Sequence, residues 1–209
     1  MNNQIEFRKG WWWPSADREA WNAIKIEVND IDEIVKFVNG RETVIQAGGN
    51  CGMWPAKYAT IFKNVFTFEP DETNRLCLEK NVTVENVKVF PFAVGEVQRN
   101  ISMEIRWDVN RGANRVILNG DIPMVRIDDL DFPSCDLLQL DIEGFEHQAI
   151  LGAIDTIKKY KPTIVLELKG HGEHYGYTDK DTIDLVKSLG YNLEKIIRTD
   201  HIFVASNND

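Results

Sequence analysis

From Thr43 onward, short apolar runs alternate with amphipathic stretches, and this rhythm constrains the fold more than any other feature of the chain. Runs at Thr43–Ala47, Val65–Glu69, Val87–Val94, Leu137–Asp141 and Thr163–Leu168 predict strands. Helical spacing follows at Met53–Phe62, Asp71–Lys80, Phe145–Tyr160 and Asp179–Leu189. Strands separated by helices predict a parallel sheet with helices on both faces, wound by right-handed crossovers. The ending breaks the rhythm. Tyr191–Arg198 and His201–Ala205 both read as strands, and the short Thr199-Asp200 link allows only an antiparallel hairpin. The expected architecture is α/β and Rossmann-like: a mostly parallel seven-stranded sheet closed by a C-terminal antiparallel hairpin.

Two segments stand outside this rhythm. Residues 1–40 read as a Trp-rich helical extension packed on the core. Ser15 can cap a helix whose first turn carries Asp17 and Glu19, and a second helix is expected over Asp30–Asn39, ended by Gly40. Trp11, Trp12, Trp13 and Trp21 read first as a hydrophobic anchor, and second as a lid over a ligand or a platform for a sugar ring. Residues 41–209 form the main domain, with 95–123 inserted as extra strands and a loop on the substrate side.

The chain has 209 residues, enough for one substantial core. Lys+Arg number 24 against 33 Asp+Glu, a net charge of −9, which counts against nucleic acid as a partner. No run is apolar enough to span a bilayer and the N-terminus lacks the apolar core of a signal peptide, so a cytoplasmic protein with no membrane partner is expected. Cys51, Cys77 and Cys135 have no metal-like spacing and read as reduced structural thiols.

In a wound α/β sheet, ligands bind beyond the carboxyl ends of the strands. Gly48, Gly49 and Gly52 lie there, in "VIQAGGNCGMWP". The spacing is neither the dinucleotide fingerprint nor a P-loop. Glu69 ends the next strand about 20 residues further on, where a carboxylate can accept both protons of a ribose diol; the plainer role is capping the helix that follows. Loop, acid and terminal hairpin together point to S-adenosylmethionine. A second cluster, "DLLQLDIEGFEHQAILGA", brings Asp141 to the end of the fourth strand; Glu143 and Glu146 follow, in the plainer reading as helix-start acids. Glu167 ends the next strand, before His171 and His174 in a glycine-rich loop. Asp141, Glu143, Glu167, His171 and His174 are the catalytic candidates, since methyl transfer to a hydroxyl needs a group that accepts the proton. A divalent cation held by Asp141, Glu167 and one histidine is the less favoured alternative.

The pieces "VIQAGGNCG", "FTFEP", "FPFAVG", "VRIDDLD", "LLQLDIEGFEHQAILGA" and "KPTIVLEL" resemble the FkbM-type family of S-adenosylmethionine-dependent methyltransferases, over about Thr43 to Ser206. The resemblance implies a class I methyltransferase fold and O-methylation of a hydroxyl on a sugar, glycan or small metabolite. It implies that Gly48, Asn50 and Gly52 line the methionine part of the cofactor, that Glu69 takes the ribose, and that Ala93 lies near the adenine. Gln46, Gly49, Pro70 and Asp141 complete the expected cofactor-binding set. The sequence departs from the family at two positions: Gln46 stands where the family carries Asp, and Gln139 where it carries Lys. A nucleic-acid methyltransferase is the competing reading, opposed by the charge and by "DIEG" where amino-methylating nucleic-acid enzymes carry Asn/Asp-Pro-Pro-Tyr/Phe/Trp. A third reading is a non-catalytic binding module on the same fold, which the neutral Gln46 leaves open.

Overall fold

The computed structural model describes residues 4–17, 20–105 and 113–206. Its first element is a hairpin where a helical extension was expected. β1 (Ile5–Arg8) pairs antiparallel with β2 (Trp11–Pro14). Lys9 and Gly10 both take positive φ, 53° and 82°, as a two-residue hairpin turn requires. The tryptophan run is strand because its large aromatic side chains suit a pleated, half-buried surface. Ser15 lies in a turn, not at a helix cap, and α1 (Ala20–Glu27) begins further on; Glu19 falls outside the described residues. The helix expected over Asp30–Asn39 shrinks to α2 (Ile31–Ile34) between two 3-10 turns, and Val38 is already extended. Gly40 is therefore no helix cap. A Cβ there would strike the Asp136 carboxylate, which accepts the N–H groups of Glu42 and Thr43 at 2.8 Å each.

The alternating region follows as β3 (Thr43–Ala47), α3 (Met53–Ala59), β4 (Asn64–Phe68), α4 (Glu72–Asn81) and β5 (Val87–Phe90). The strand expected over Val87–Val94 is two strands in two sheets. Pro91 has no N–H to continue the ladder, so β5 stops at Phe90. β6 (Ala93–Val94) then joins β7 (Arg99–Glu104), β8 (Arg115–Leu118) and β9 (Ile122–Val125) in a separate sheet of order β6-β9-β7-β8. β7, β8 and the start of β9 fall within residues 95–123; residues 106–112 lie outside the described residues.

β10 (Leu137–Leu140) returns to the main sheet, and the helix expected over Phe145–Tyr160 is two: α5 (Glu146–Leu151) and α6 (Ile154–Tyr160). At the break, Gly152 presses on the Gly95 carbonyl, leaving no room for a side chain. Asp128 accepts the N–H groups of Asp155 (3.1 Å) and Thr156 (2.8 Å), so α6 has a cap supplied from a distant part of the chain. β11 (Thr163–Glu167), α7 (Asp179–Ser188), β12 (Tyr191–Ile197) and β13 (Asp200–Ala205) complete the chain.

The main sheet has the order β12-β13-β11-β10-β3-β4-β5. The five strands from β11 to the β5 edge run parallel, and β13 is antiparallel to both neighbours. The last strand of the terminal hairpin, not the one before it, lies against the parallel strands. Alternate residues feed two cores. Ile45, Leu138, Leu140, Ile164 and Leu166 pack with Ala149, Ile157 and Val186 of α5, α6 and α7. Val44, Leu137 and Val165 pack with Ile31, Ile34, Trp54 and Tyr58 of α2 and α3. Among the described residues no helix is long and apolar enough to cross a membrane.

Candidate active site

A pocket opens beyond the carboxyl ends of β3, β4, β10 and β11, where a wound sheet places its ligands. The loop after β3 forms its floor. Gly48, at φ 91°, lies so close to the Asp141 carbonyl oxygen that a Cβ would collide with it. The N–H groups of Gly48 and Gly49 both donate to the Phe68 carbonyl, at 3.1 and 2.9 Å, which ties the loop to β4. Glu69 stands next to it, nearly fully buried. Its Oε2 accepts the Asn50 N–H at 2.6 Å and its Oε1 the Asp71 N–H at 2.8 Å. Each oxygen keeps a second lone-pair site. Burial, with Asp71 close by, pushes the Glu69 carboxyl up to about 8 against the pull of those N–H groups. The capping role considered for Glu69 belongs to Asp71, which accepts the Asn74 N–H at 2.9 Å.

The opposite wall is a cluster of acids around one lysine. Carboxylate oxygens of Asp141, Glu143 and Glu167 lie within 4.8 Å of one another. Lys169 Nζ is 2.6 Å from Glu167 Oε2 and 3.2 Å from Glu143 Oε1. His171 Nδ1 is 2.8 Å from Glu143 Oε2. The turn after β10 aims these groups. Glu143 and Gly144 take φ values of 56° and 100°, and Gly144 packs against the backbone of His171 and Gly172, so the loops after β10 and β11 touch. Burial and the neighbouring Glu167 hold the Asp141 carboxyl well above the usual range. Burial also acts on Glu167, but its hydrogen bond with Asp141 and the Lys169 ammonium outweigh it and hold Glu167 low. Of the two, Asp141 is the one that holds a proton more tightly. Burial works against the Lys169 charge, yet Asp141, Glu167 and Glu143 raise its affinity for a proton.

The remaining expected residues divide. Gly48, Gly49, Asn50, Glu69, Pro70, Ala93, Asp141, Glu143 and Glu167 all line the pocket. Gly52 shapes the loop at φ 94° from behind the wall. Gln46 is not on the wall: its amide donates to the Gly48 carbonyl at 2.8 Å and accepts the Thr67 hydroxyl, so it braces the loop from below. His171 reaches the pocket only through Glu143. His174 is exposed, packs edge-on against Tyr175, and faces a separate groove. Glu146 is a turn brace, its Oε1 accepting the N–H groups of Ile142 (2.9 Å) and Gly144 (3.3 Å); burial pushes it up to about 7. The sequence reading missed Lys169, although in an extended chain it shares a face with Glu167. It also missed Glu27 and Ile24 of α1 and Asn74 and Asn114, which complete the wall with Trp13.

Residues 46–193 match the methyltransferase FkbM domain. The chain belongs to the FkbM methyltransferase family. The matched segment contains the glycine loop, Glu69 and the whole Asp141–His171 cluster, and leaves out the tryptophan hairpin and α1. Solved structures share the fold. An FkbM methyltransferase from Methylobacillus flagellatus is 20% identical over 78% of this chain, with a TM-score of 0.50; this chain spans 42% of that protein. A TehB-like SAM-dependent methyltransferase from Corynebacterium glutamicum is 11% identical over 90% of this chain and 95% of its own, at 0.50. A magnesium protoporphyrin IX methyltransferase from Synechocystis, solved with bound SAM, is 11% identical over 90% and 80%, at 0.51. No curated protein matches the sequence. The fold is that of the class I methyltransferases, and S-adenosylmethionine is the cofactor that the family implies. The FkbM pocket here fits it: a tight glycine floor, a buried acid with free lone pairs, and an acidic wall suited to a sulfonium.

Proposed function

We propose that this FkbM protein is an S-adenosylmethionine-dependent O-methyltransferase acting on an uncharged hydroxyl compound, a sugar, glycan or small metabolite. One observation carries the reading: Asp141 lies on the pocket wall in backbone contact with the glycine floor, so a proton acceptor sits beside the cofactor loop. In this reading Glu69 holds the ribose diol, with Pro70 and Ala93 flanking the nucleoside, and Gly48, Gly49 and Asn50 border the methionine end.

Bound S-adenosylmethionine supplies a methyl group on a positive sulfur. The residues of the chain do the rest. Asp141, Glu143 and Glu167 place negative charge beside the sulfonium and attract it to this wall. The positive charge of a bound sulfonium would draw the proton off Asp141, which would then accept the hydroxyl proton of the acceptor as that oxygen takes the methyl group. Glu143 and His171 lead from the cluster toward solvent and offer the proton a way out. The pocket places Glu27, Glu69, Asp141, Glu143 and Glu167 against the one basic side chain among its described lining residues, Lys169. That balance disfavours phosphorylated or carboxylated acceptors and a nucleic acid backbone.

Calorimetry with S-adenosylmethionine, S-adenosylhomocysteine and NAD tests the cofactor, and labelled methyl transfer to neutral and anionic hydroxyl compounds tests the acceptor class. Binding of NAD without either adenosyl ligand sinks the reading.

A further inference from the structure

Three carboxylates at the ends of adjacent strands are the kind of group that holds a divalent cation. In this chain something else stands there. Lys169 Nζ is within ion-pair distance of two of the three, Glu167 at 2.6 Å and Glu143 at 3.2 Å. The third, Asp141, has a carboxylate oxygen within 4.8 Å of those of Glu143 and Glu167 and so shares the neighbourhood of the same lysine. A hard divalent cation needs about six oxygen ligands at roughly 2.0–2.6 Å. An ammonium inside that shell would repel it.

The surroundings favour a fixed positive charge. Glu27 faces the cluster from the end of α1, and Asp200 from the hairpin β12–β13. Five acids from four parts of the chain therefore converge on Lys169. Arg198, on the same hairpin as Asp200, is paired with Asp30 at 2.7 Å. Lys169 is 29% exposed at its side chain, so it is only partly withdrawn from solvent among these acids.

We propose that Lys169 is the resident cation of this site: its ammonium takes the place a divalent metal would hold among Asp141, Glu143 and Glu167, and positions the last two. Methyl transfer is then independent of metal. Lys169 acts as a positioning residue, since it holds a positive charge that keeps Glu167 ionised and Glu143 turned toward His171. The proposal rests on the methyltransferase reading only for its kinetic consequence; the filled cation position stands by itself.

The test is a Mn²⁺ titration of the full chain by calorimetry, repeated on Lys169→Ala and Lys169→Arg, with folding checked by circular dichroism and Lys169→Met as the variant of similar length. The wild type and Lys169→Arg should take up no Mn²⁺ at the cluster, and Lys169→Ala should gain one site that is lost in Lys169→Ala/Glu143→Gln. With an acceptor in hand, chelation should leave the wild-type rate unchanged. Lys169→Met should move the acid limb of the pH profile upward, because the carboxylates lose the charge that keeps them ionised, and Lys169→Arg should restore it. Wild-type activity that falls on chelation, Mn²⁺ uptake by the wild-type cluster, or a folded Lys169→Ala that takes up no Mn²⁺ would each overturn the proposal. S-adenosylhomocysteine binding, measured in the same samples, reports separately on the methyltransferase reading.

Discussion

Gln46 and Gln139 are register partners across the parallel ladder of β3 and β10. They are the two positions at which the sequence departs from the family, where an acid and a lysine are expected. Both are almost completely buried, at 1% exposure each. In the pattern the resemblance implies, an acid would stand beside a base at this register position; in this chain two neutral amides are the neighbours.

Gln46→Asp alone places a carboxylate beside the Gly48 carbonyl with no cation opposite. It should cost about 3–5 kcal/mol of stability, the usual penalty for an unpaired buried charge. Gln46→Asp combined with Gln139→Lys should recover most of it. Urea unfolding of the two single variants and the double variant measures the coupling, and additive losses would refute the pairing.

Asp141→Asn keeps a group that can hydrogen-bond Glu167 but cannot take a proton. The expected result is a rate lower by about 10²–10⁴-fold, the range for general-base loss, with S-adenosylhomocysteine affinity changed far less. Single-turnover methyl transfer and calorimetry separate the two. A fully active variant would remove Asp141 from the chemistry.

The two histidines should behave differently. His171→Gln breaks the contact with Glu143 and should slow turnover by less than about 100-fold, since it acts at one remove from the acceptor. His174→Gln should leave the rate unchanged, because its ring faces the other groove. Equal losses in both variants would contradict the geometry.

The ligand-free protein should lose stability between weakly acidic and weakly alkaline pH. Burial raises Glu69 to about 8 and Glu146 to about 7, from an ordinary 4.5, and Asp200 to about 7 from 3.8. Each is protonated when folded at a pH where it is ionised when unfolded. Their contribution is therefore fully present below about 4 and is lost as pH rises through 7 to 8, at up to about 1.4 kcal/mol per unit for each group. Melting temperature should be higher at pH 5.5 than at pH 8 (both chosen from that window), and Glu69→Gln should flatten the difference. A wild-type melting temperature that rises over this interval would show that these acids are not held protonated.

Trp13 is fully buried with Cys51 and Cys77 and also lines the pocket. Trp13→Ala should destabilise the chain by about 3–5 kcal/mol. It should also weaken S-adenosylhomocysteine binding, because Cys51 belongs to the cofactor loop. Unfolding and calorimetry on one sample test both.

Most of the sheet was legible because its strands announce themselves by apolar runs and its ligand end by glycines and acids. The misses have physical causes. Pro91 and Gly152 divide elements whose hydrophobic period runs on without interruption, so periodicity alone joins them. The tryptophan strand lacks alternation, and its turn is Lys9-Gly10, a weaker signal than Asn-Gly. Gln46 lies near the end of β3, just before the glycine loop, and its side chain braces the loop from below, bonded to Thr67 on the neighbouring strand. Lys169 was passed over because a lysine after a strand is ordinarily a solvated end, and its meaning depends on Glu143, which only the fold brings near.

The anchoring of the second sheet decides which parts of the pocket wall can be altered independently. Its base is fixed twice, by Gly152 against the Gly95 carbonyl and by Asp128 at the start of α6. Its far edge is β8, which with β7 gives Val116 and Met103 to the pocket. Substitutions in β7 and β8 therefore reshape one wall of the pocket while sparing the glycine loop. Changes at the base would travel through α6 into the main core.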